Sequence, residues 1–171
     1  MTEKRITAAT ATPELRELYD EAFPAEERIP WHDLLQLVGT MPLDFTAYYH
    51  DNQLLGFTIV YPRPTFNWFW YFAVRPQLRG MGHGQRILSR LIERYSSGTS
   101  ILDMESPSQP SPNHPVRQRR HRFYLRNGFR DTGVGRSFQG IDYTIMIIGP
   151  GTFTMHDYDT IIAELHAKWN P

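Results

Sequence analysis

The chain has 171 residues, 40% of them hydrophobic and 21% charged, and its 18 Lys and Arg balance 18 Asp and Glu. A chain of this length and make-up forms a single globular domain over residues 1–171, large enough to bury a core without staples. The zero net charge argues against a general nucleic-acid binder, and the absence of cysteine removes disulfides, thiolate metal sites and a cysteine nucleophile.

The opening segment, MTEKRITAATATPELRELYDE, has no apolar core of the kind a secretory leader carries. No stretch approaches the roughly 20 apolar residues needed to span a bilayer. The cytoplasm is therefore the expected compartment. Residues 4–9 predict a short strand. Pro13 then opens a helical pattern with Leu15, Leu18, Tyr19, Ala22 and Phe23 on one face, and proline suits a first turn because its missing N–H would be unpaired there. After the loop PAEERIP, residues 32–38 predict a second short helix ending near Gly39. Three strand-like runs follow, at 45–50, 54–61 and 66–74, spaced as an antiparallel meander. The third contains NWFWYFAV, apolar enough for burial on both faces and a central place in the sheet. Strict alternation puts Trp68, Trp70 and Phe72 on one side, and Phe69 and Tyr71 on the other.

Residues 85–95 predict a helix and residues 100–105 a strand. A strand–helix–strand order implies a parallel pair with a right-handed crossover. The Pro/Ser loop 106–115 leads to a helix at 116–127, basic on its outer face and stopped by Gly128. Strands at 129–134 and 141–148 and a helix at 160–169 complete the chain. Seven histidines are present, but they show no metal-ligand spacing, and no metal is expected.

Between the aromatic strand and the next helix lies VRPQLRGMGHGQ, with Gly80, Gly82 and Gly84 at alternate positions. A strand that ends in glycines at a helix N-terminus leaves backbone N–H groups free and lets an anion approach them closely. The spacing is not the dinucleotide pattern GxGxxG, which would need glycine where Gln85 stands, nor is it the GxxxxGK[ST] of nucleotide triphosphatases. It reads R-x-x-G-x-G, as Arg79, Gly82 and Gly84. A second block, RFYLRNGF at 122–129, places Phe123 and Tyr124 at a helix end before Gly128 and Phe129.

These two blocks, in this order, resemble the acetyl-CoA loop and the late motif of the GNAT N-acetyltransferase superfamily. The resemblance implies an α/β fold with a mixed, mostly antiparallel sheet of about seven strands, splayed centrally, with helices on both faces. It also implies acetyl-CoA as co-substrate. The strand end Phe72, Ala73 and Val74 would line the pantetheine arm. The N–H groups of Arg79, Gly80, Met81, Gly82, His83, Gly84 and Gln85 would hold the pyrophosphate, with the His83 ring facing solvent or adenine. Tyr124, beside Phe123, matches the family's general acid toward the departing thiolate, although it reads also as a core aromatic. Two departures stand out. The central strand carries no carboxylate, only Asn67. Arg117 occupies the place where many members have asparagine, beside Arg119, Arg120 and Arg122. This cluster reads as contact with the cofactor 3′-phosphate or with an acidic substrate, or as a solvated basic face.

Glu105, two residues from Asp103 and on the same side of its strand, is the first candidate for base or amine anchor. It reads equally as a strand-end carboxylate in a salt bridge. Glu26 and Glu27, in the loop between the first two helices, are candidate anchors for a cationic amine and read equally as solvated surface charges, and Trp70, on a strand whose aromatics are mostly core, is a candidate pocket wall. The expected activity is acetyl transfer from acetyl-CoA to a primary amine of a small molecule or peptide. Direct attack is favoured, since no cysteine can carry the acetyl group. The alternative is an acyl-CoA-binding sensor or subunit without turnover. No membrane or nucleic-acid partner is expected. Trp169 is a candidate interface residue for a homodimer.

Overall fold

In the computed structural model, which describes residues 1–169, seven strands form one sheet in the order β1-β2-β3-β4-β5-β7-β6. The strands are β1 (Thr2–Arg5), β2 (Asp44–His50), β3 (Gln53–Tyr61), β4 (Asn67–Val74), β5 (Ser100–Glu105), β6 (Arg130–Phe138) and β7 (Ile141–Ile148). Five α-helices accompany them: α1 (Pro13–Ala22), α2 (Trp31–Thr40), α3 (His83–Arg94), α4 (His114–Arg126) and α5 (Met155–Lys168). Every strand pair is antiparallel except β4–β5. Helices α1, α2 and α5 cover one face, where Leu15, Leu34, Phe45, Phe57, Trp68 and Ile161 are buried. The other face is covered by α3 and α4 over Val60, Phe69, Leu102 and Met146. No helix among the described residues is long and apolar enough to cross a membrane.

Two irregularities of β4 shape the centre of the sheet. Opposite β3 the register runs Ile59↔Tyr71 and then Val60↔Phe69, so Trp70 is an extra residue, a β-bulge. Its insertion reverses the alternation. Tyr71 and Ala73 join Trp68 on the α1 side, while Phe72 turns toward α3. The expected grouping of Phe72 with Trp68 and Trp70 is therefore corrected, because a bulge shifts which face each following residue meets. On the other side, β4 pairs with β5 only at Asn67↔Ser100 and Trp68↔Ile101. Both strands continue several residues beyond that point, so they splay and leave a gap between them.

The other differences from expectation lie at element ends. Strand β1 stops at Arg5 because Thr7 and Thr10 close a turn through their side chains and backbone. Helix α3 begins at His83 rather than residue 85, with Gly82 as its cap. Pro115 lies in the first turn of α4, which starts at His114, and α2 runs past Gly39 to Thr40. Helix α5 begins at Met155, set by a capping box in which Thr154 and Asp157 satisfy each other's backbone N–H groups. Strand β6 continues to Phe138 through an irregular stretch between Asp131 and Gly135.

Candidate active site

The glycine loop follows the end of β4. A single 3-10 turn at Pro76–Leu78 precedes Gly80 and Gly82, both at φ 82°. A Cβ at either position would meet nothing within 4 Å, so glycine is needed there for its backbone conformation, not for room. The first helical hydrogen bond of α3 runs from the Arg86 N–H to the Gly82 carbonyl at 3.1 Å. Among the described residues, the N–H groups of Gly80 to Gln85 donate to no protein acceptor. This row of free donors at a helix N-terminus is an anion cradle. Gly84 packs α3 on β4, its pro-Cβ direction 3.5 Å from Val74 Cγ2. Met81, 66% exposed, forms the tip of the loop.

The side chains of the loop are committed differently from its backbone. Arg79 does not offer the N–H expected of it, because that N–H donates to the Pro76 carbonyl at 3.2 Å, and its side chain folds back, Nε donating to the Val74 carbonyl at 3.2 Å. Gln85 exchanges hydrogen bonds with Asn127, tying α3 to the end of α4. His83 does not present its whole ring to solvent: Nδ1 is buried and has no partner among the described residues.

A cleft of about 650 Å³ runs from this loop along the splayed strands. Phe72, Ala73 and Val74 line one side, and Arg119, Phe123, Tyr124 and Arg126 of α4 the other. Tyr124 is buried, and that burial pushes its phenol up to about 12, opposed by the charge of Arg120. Its hydroxyl makes no hydrogen bond to the described residues. A phenol so placed stays neutral and remains a donor.

A second cleft, of about 860 Å³, opens on the α1 side. The two clefts share seven lining residues, among them Phe23, Trp70, Asp103, Met104 and Arg120, and so meet where β4 and β5 part. Of the carboxylates lining the second cleft, the three that are not exposed, Asp103, Glu105 and Glu27, have different commitments. Asp103 accepts from Trp68 Nε1 and Arg136 Nη2, each at 3.0 Å. Glu105, buried at the end of β5, accepts from Arg117 Nη2 at 2.6 Å and from the Asn113 amide, with Arg120 Nη1 at 3.8 Å. Among the described residues, Glu27 accepts only from the Tyr143 hydroxyl, on Oε1 at 2.5 Å. Burial raises the Glu27 pKa above the usual carboxylate value; the Tyr143 bond opposes this and the charge of Glu105 adds to it.

The loop carrying Glu27 is held by tyrosines. Tyr71 donates to the Glu27 carbonyl at 3.0 Å and Tyr19 to the Ile29 carbonyl at 3.1 Å. Together with Tyr143, these hydroxyls fix both the backbone and the carboxylate of this residue. Glu26, beside it, is exposed at the rim of the same cleft.

Arg117 does not line the cleft beside the glycine loop. It is buried and bonded to Glu105 and to Gln109 Oε1, so it is not free for the contact expected of it; of the helix arginines, Arg119 and Arg126 line that cleft. Glu105 correspondingly takes the salt-bridge reading. Trp169 lies against its own chain, donating from Nε1 to Asp33 Oδ2 at 3.1 Å and lining the second cleft. Sequence reasoning missed Tyr143, read Tyr71 only as a strand aromatic, and read Arg120 only as one of a basic cluster. Nothing local marks Tyr143, which stands 116 residues from its partner. Among the described residues, no cluster of three or more His, Cys, Asp or Glu could hold a metal ion.

The bulged strand β4, parting from its parallel neighbour β5 beside the Gly82-capped N-terminus of α3, forms an elongated cleft that ends at an anion cradle. A family model for the acetyltransferase (GNAT) domain matches residues 43–131, and the chain belongs to the GNAT acetyltransferase family. A GNAT-family structure from Bacteroides thetaiotaomicron superposes with a TM-score of 0.78 at 24% identity, over 98% of this chain and 97% of that one. An aminoglycoside 6′-N-acetyltransferase complexed with coenzyme A gives 0.67 at 17% identity, over 90% and 100%. A GNAT family acetyltransferase from Elizabethkingia anophelis with acetyl-CoA bound gives 0.61 at 15%, over 87% and 97%. No curated protein matches the sequence. The seven-stranded, mostly antiparallel α/β fold is thus the expected one.

Proposed function

We propose that this protein transfers the acetyl group of acetyl-CoA to a primary amine by direct attack in a ternary complex. The observation that carries the reading is the junction of the two clefts at Trp70, Asp103 and Met104. It sets a neutral phenol on the donor side and a carboxylate with one unengaged oxygen on the acceptor side.

The residues present fit acetyl-CoA. The N–H groups of Gly80 to Gln85 would hold the pyrophosphate, Phe72, Ala73 and Val74 would line the pantetheine, and Arg119 and Arg126 supply positive charge along the cleft. When bound, acetyl-CoA supplies an activated acetyl thioester. Glu27 receives the proton the amine must lose, directly or through one water, and its raised pKa makes it a better base near neutrality than an ordinary carboxylate. Asp103 and Glu105 suit that task less well, because arginine and amide donors occupy them. Tyr124 Oη offers its proton toward the sulfur. Its pKa of about 12 lies above the value near 8.5 of an ordinary thiol, so it acts as a hydrogen-bond donor to the thiolate and does not give its proton away. In the balance, an N–C bond forms, the C–S bond breaks, one proton goes to Glu27 and the thiolate leaves as CoA.

The test is release of free thiol from acetyl-CoA across a panel of primary amines, with the amide product checked by mass. Glu27→Gln should lower kcat about 100-fold or more, within the range of general-base catalysis, and Tyr124→Phe should lower kcat while leaving acetyl-CoA affinity near wild type. Calorimetric binding of acetyl-CoA without thiol release for any amine would overturn the transferase reading in favour of a binding protein.

A further inference from the structure

The transfer chemistry leaves one charged group at the junction of the clefts without a task. Among the described residues, seven line both clefts, and Arg120 is the one cation of the seven. It lies one turn before Tyr124 on α4, a spacing that puts the two side chains on the same face of the helix. Its guanidinium makes no hydrogen bond to the described residues. Glu105 Oε2 is the carboxylate oxygen nearest to it, 3.8 Å from Nη1, and Glu105 already accepts from Arg117 Nη2 at 2.6 Å and from the Asn113 amide. Arg117 thus balances the charge of Glu105, as Arg136 balances that of Asp103 at 3.0 Å. The positive charge of Arg120 is surplus to the ion pairs around it. Burial is the largest influence on both Tyr124 and Glu27, raising each pKa, and the charge of Arg120 opposes it at both. One cation therefore stands within electrostatic reach of the phenol on the donor side and of the carboxylate on the acceptor side.

On the acetyl-transfer reading, the C–S bond breaks with its electron pair going to sulfur, and Tyr124 keeps its proton. The thiolate therefore departs with a full negative charge. It does so in a cleft walled by Phe69, Leu102, Met104 and Phe123, where apolar surface replaces part of the water and a charge without a counter-ion is costly. A neutral phenol supplies a hydrogen bond but no charge. A guanidinium supplies the charge and keeps it, and a fixed cation aimed at developing charge acts most strongly where water is excluded. We infer that Arg120 is a further catalytic residue, whose guanidinium pairs with the departing thiolate beside Tyr124 and stabilises the charge that collects on sulfur. This rests on the acetyl-CoA-dependent reading of the site and adds a residue to it. No proton moves to or from Arg120. The N–C bond forms, the C–S bond breaks, the amine proton goes to Glu27, and the thiolate–guanidinium pair parts when CoA dissociates.

The experiment titrates the thiol of bound CoA through the ultraviolet absorbance of its thiolate, with the desulfo-CoA complex as blank, in wild type, Arg120→Gln and Arg120→Lys. In wild type the bound thiol should ionise with a constant about tenfold above that of free CoA in the same buffer. Arg120→Gln should lose most of that gain, and Arg120→Lys, which keeps a charge, should retain much of it. Affinity for desulfo-CoA and Tm should stay near wild type in both variants, because Arg117 and Asn113 still hold Glu105. A merely structural role would move those two quantities and not the ionisation. With an amine that is acetylated, Arg120→Gln should lower kcat about tenfold, with KM for acetyl-CoA near wild type and a smaller loss in Arg120→Lys. A bound thiol that ionises like free CoA in wild type, or a gain that survives in Arg120→Gln, would overturn the inference and leave the transferase reading to the amine panel. A gain lost in Arg120→Gln, with no amine acetylated, would support the thiolate site while the transferase reading alone fails. A wild type that binds neither CoA nor desulfo-CoA would overturn both.

Discussion

The pair Glu105–Arg117 joins the end of β5 to the first half of α4, the helix that presents Tyr124. Their side chains are only 10% and 5% exposed, and Arg117 Nη2 lies 2.6 Å from Glu105 Oε1. Arg117→Met keeps much of the side-chain volume but leaves a buried carboxylate without its main partner. Breaking a buried pair in this way costs about 3–5 kcal/mol. Here Asn113 Nδ2 at 3.4 Å and the half-exposed Arg120 at 3.8 Å remain, which places the expected cost near the lower end, about 3 kcal/mol. For a domain of this size each kcal/mol lowers Tm by about 2–4 °C, so the midpoint should fall by roughly 6–12 °C. Adding Glu105→Leu removes the orphaned charge. The double variant should recover most of the loss, to within about 1 kcal/mol of wild type, since well-packed apolar replacements of buried pairs are often near neutral. Urea denaturation of wild type, both single variants and the double variant measures the coupling directly. A cost below about 1 kcal/mol for Arg117→Met, or additive costs in the double variant, would refute the argument that Glu105 is held as a structural ion. A loss of kcat on Glu105→Gln, with the acid limb of the pH profile removed and Tm unchanged, would restore it as the base.

The raised pKa of Glu27 has a stability sign as well as a catalytic one. A carboxyl with a raised folded pKa favours the folded state below its unfolded value, about 4.3, and loses that contribution as pH rises through the folded value. Glu27→Gln should therefore gain in Tm relative to wild type as pH rises from about 4 toward neutrality, while activity falls and its acid limb disappears; no relative gain would argue against the burial reading. At Gly56, opposite the end of β4, an added Cβ would lie 2.2 Å from the Ala73 carbonyl oxygen. Gly56→Ala should displace the end of β4 that lines the cleft beside the glycine loop, and, on the proposed function, raise KM for acetyl-CoA as well as lower Tm, whereas Gly39→Ala, where a Cβ meets nothing within 4 Å, should leave both near wild type. Arg119→Ala with Arg126→Ala should weaken binding of CoA more than of dephospho-CoA in calorimetry, and flatten its dependence on salt; equal weakening of both would place the 3′-phosphate elsewhere.

Much of the architecture was legible in local patterns. The helical spacing of Leu15, Leu18 and Tyr19, the apolar meander and the strand–helix–strand order around the glycines all led to the mixed sheet. The anion cradle was legible too, because positive φ at Gly80 and Gly82 and free N–H groups at a helix N-terminus are properties of a few consecutive residues. The bulge at Trp70 was not. NWFWYFAV is apolar at nearly every position, so alternation carries no information about which residue drops out of register, and the partner strand decides it.

The commitments of the acidic residues were equally beyond local reading. Glu105 and Glu27 differ little as residues in a sequence, yet one is bound by arginine from α4 and the other faces a cleft with a single tyrosine donor. Arg117 could not be told from Arg119 by composition, although two steps along a helix send one inward to Glu105 and the other to the cleft beside the glycine loop. What the sequence by itself determined were the features governed by backbone conformation and periodicity, which act within one turn of chain: the strands, the helices and the phosphate loop. Which carboxylate is free, which aromatic lines both clefts and which arginine is spent in the core were decided only by the tertiary structure, because solvation and charge pairing depend on neighbours brought together from distant parts of the chain.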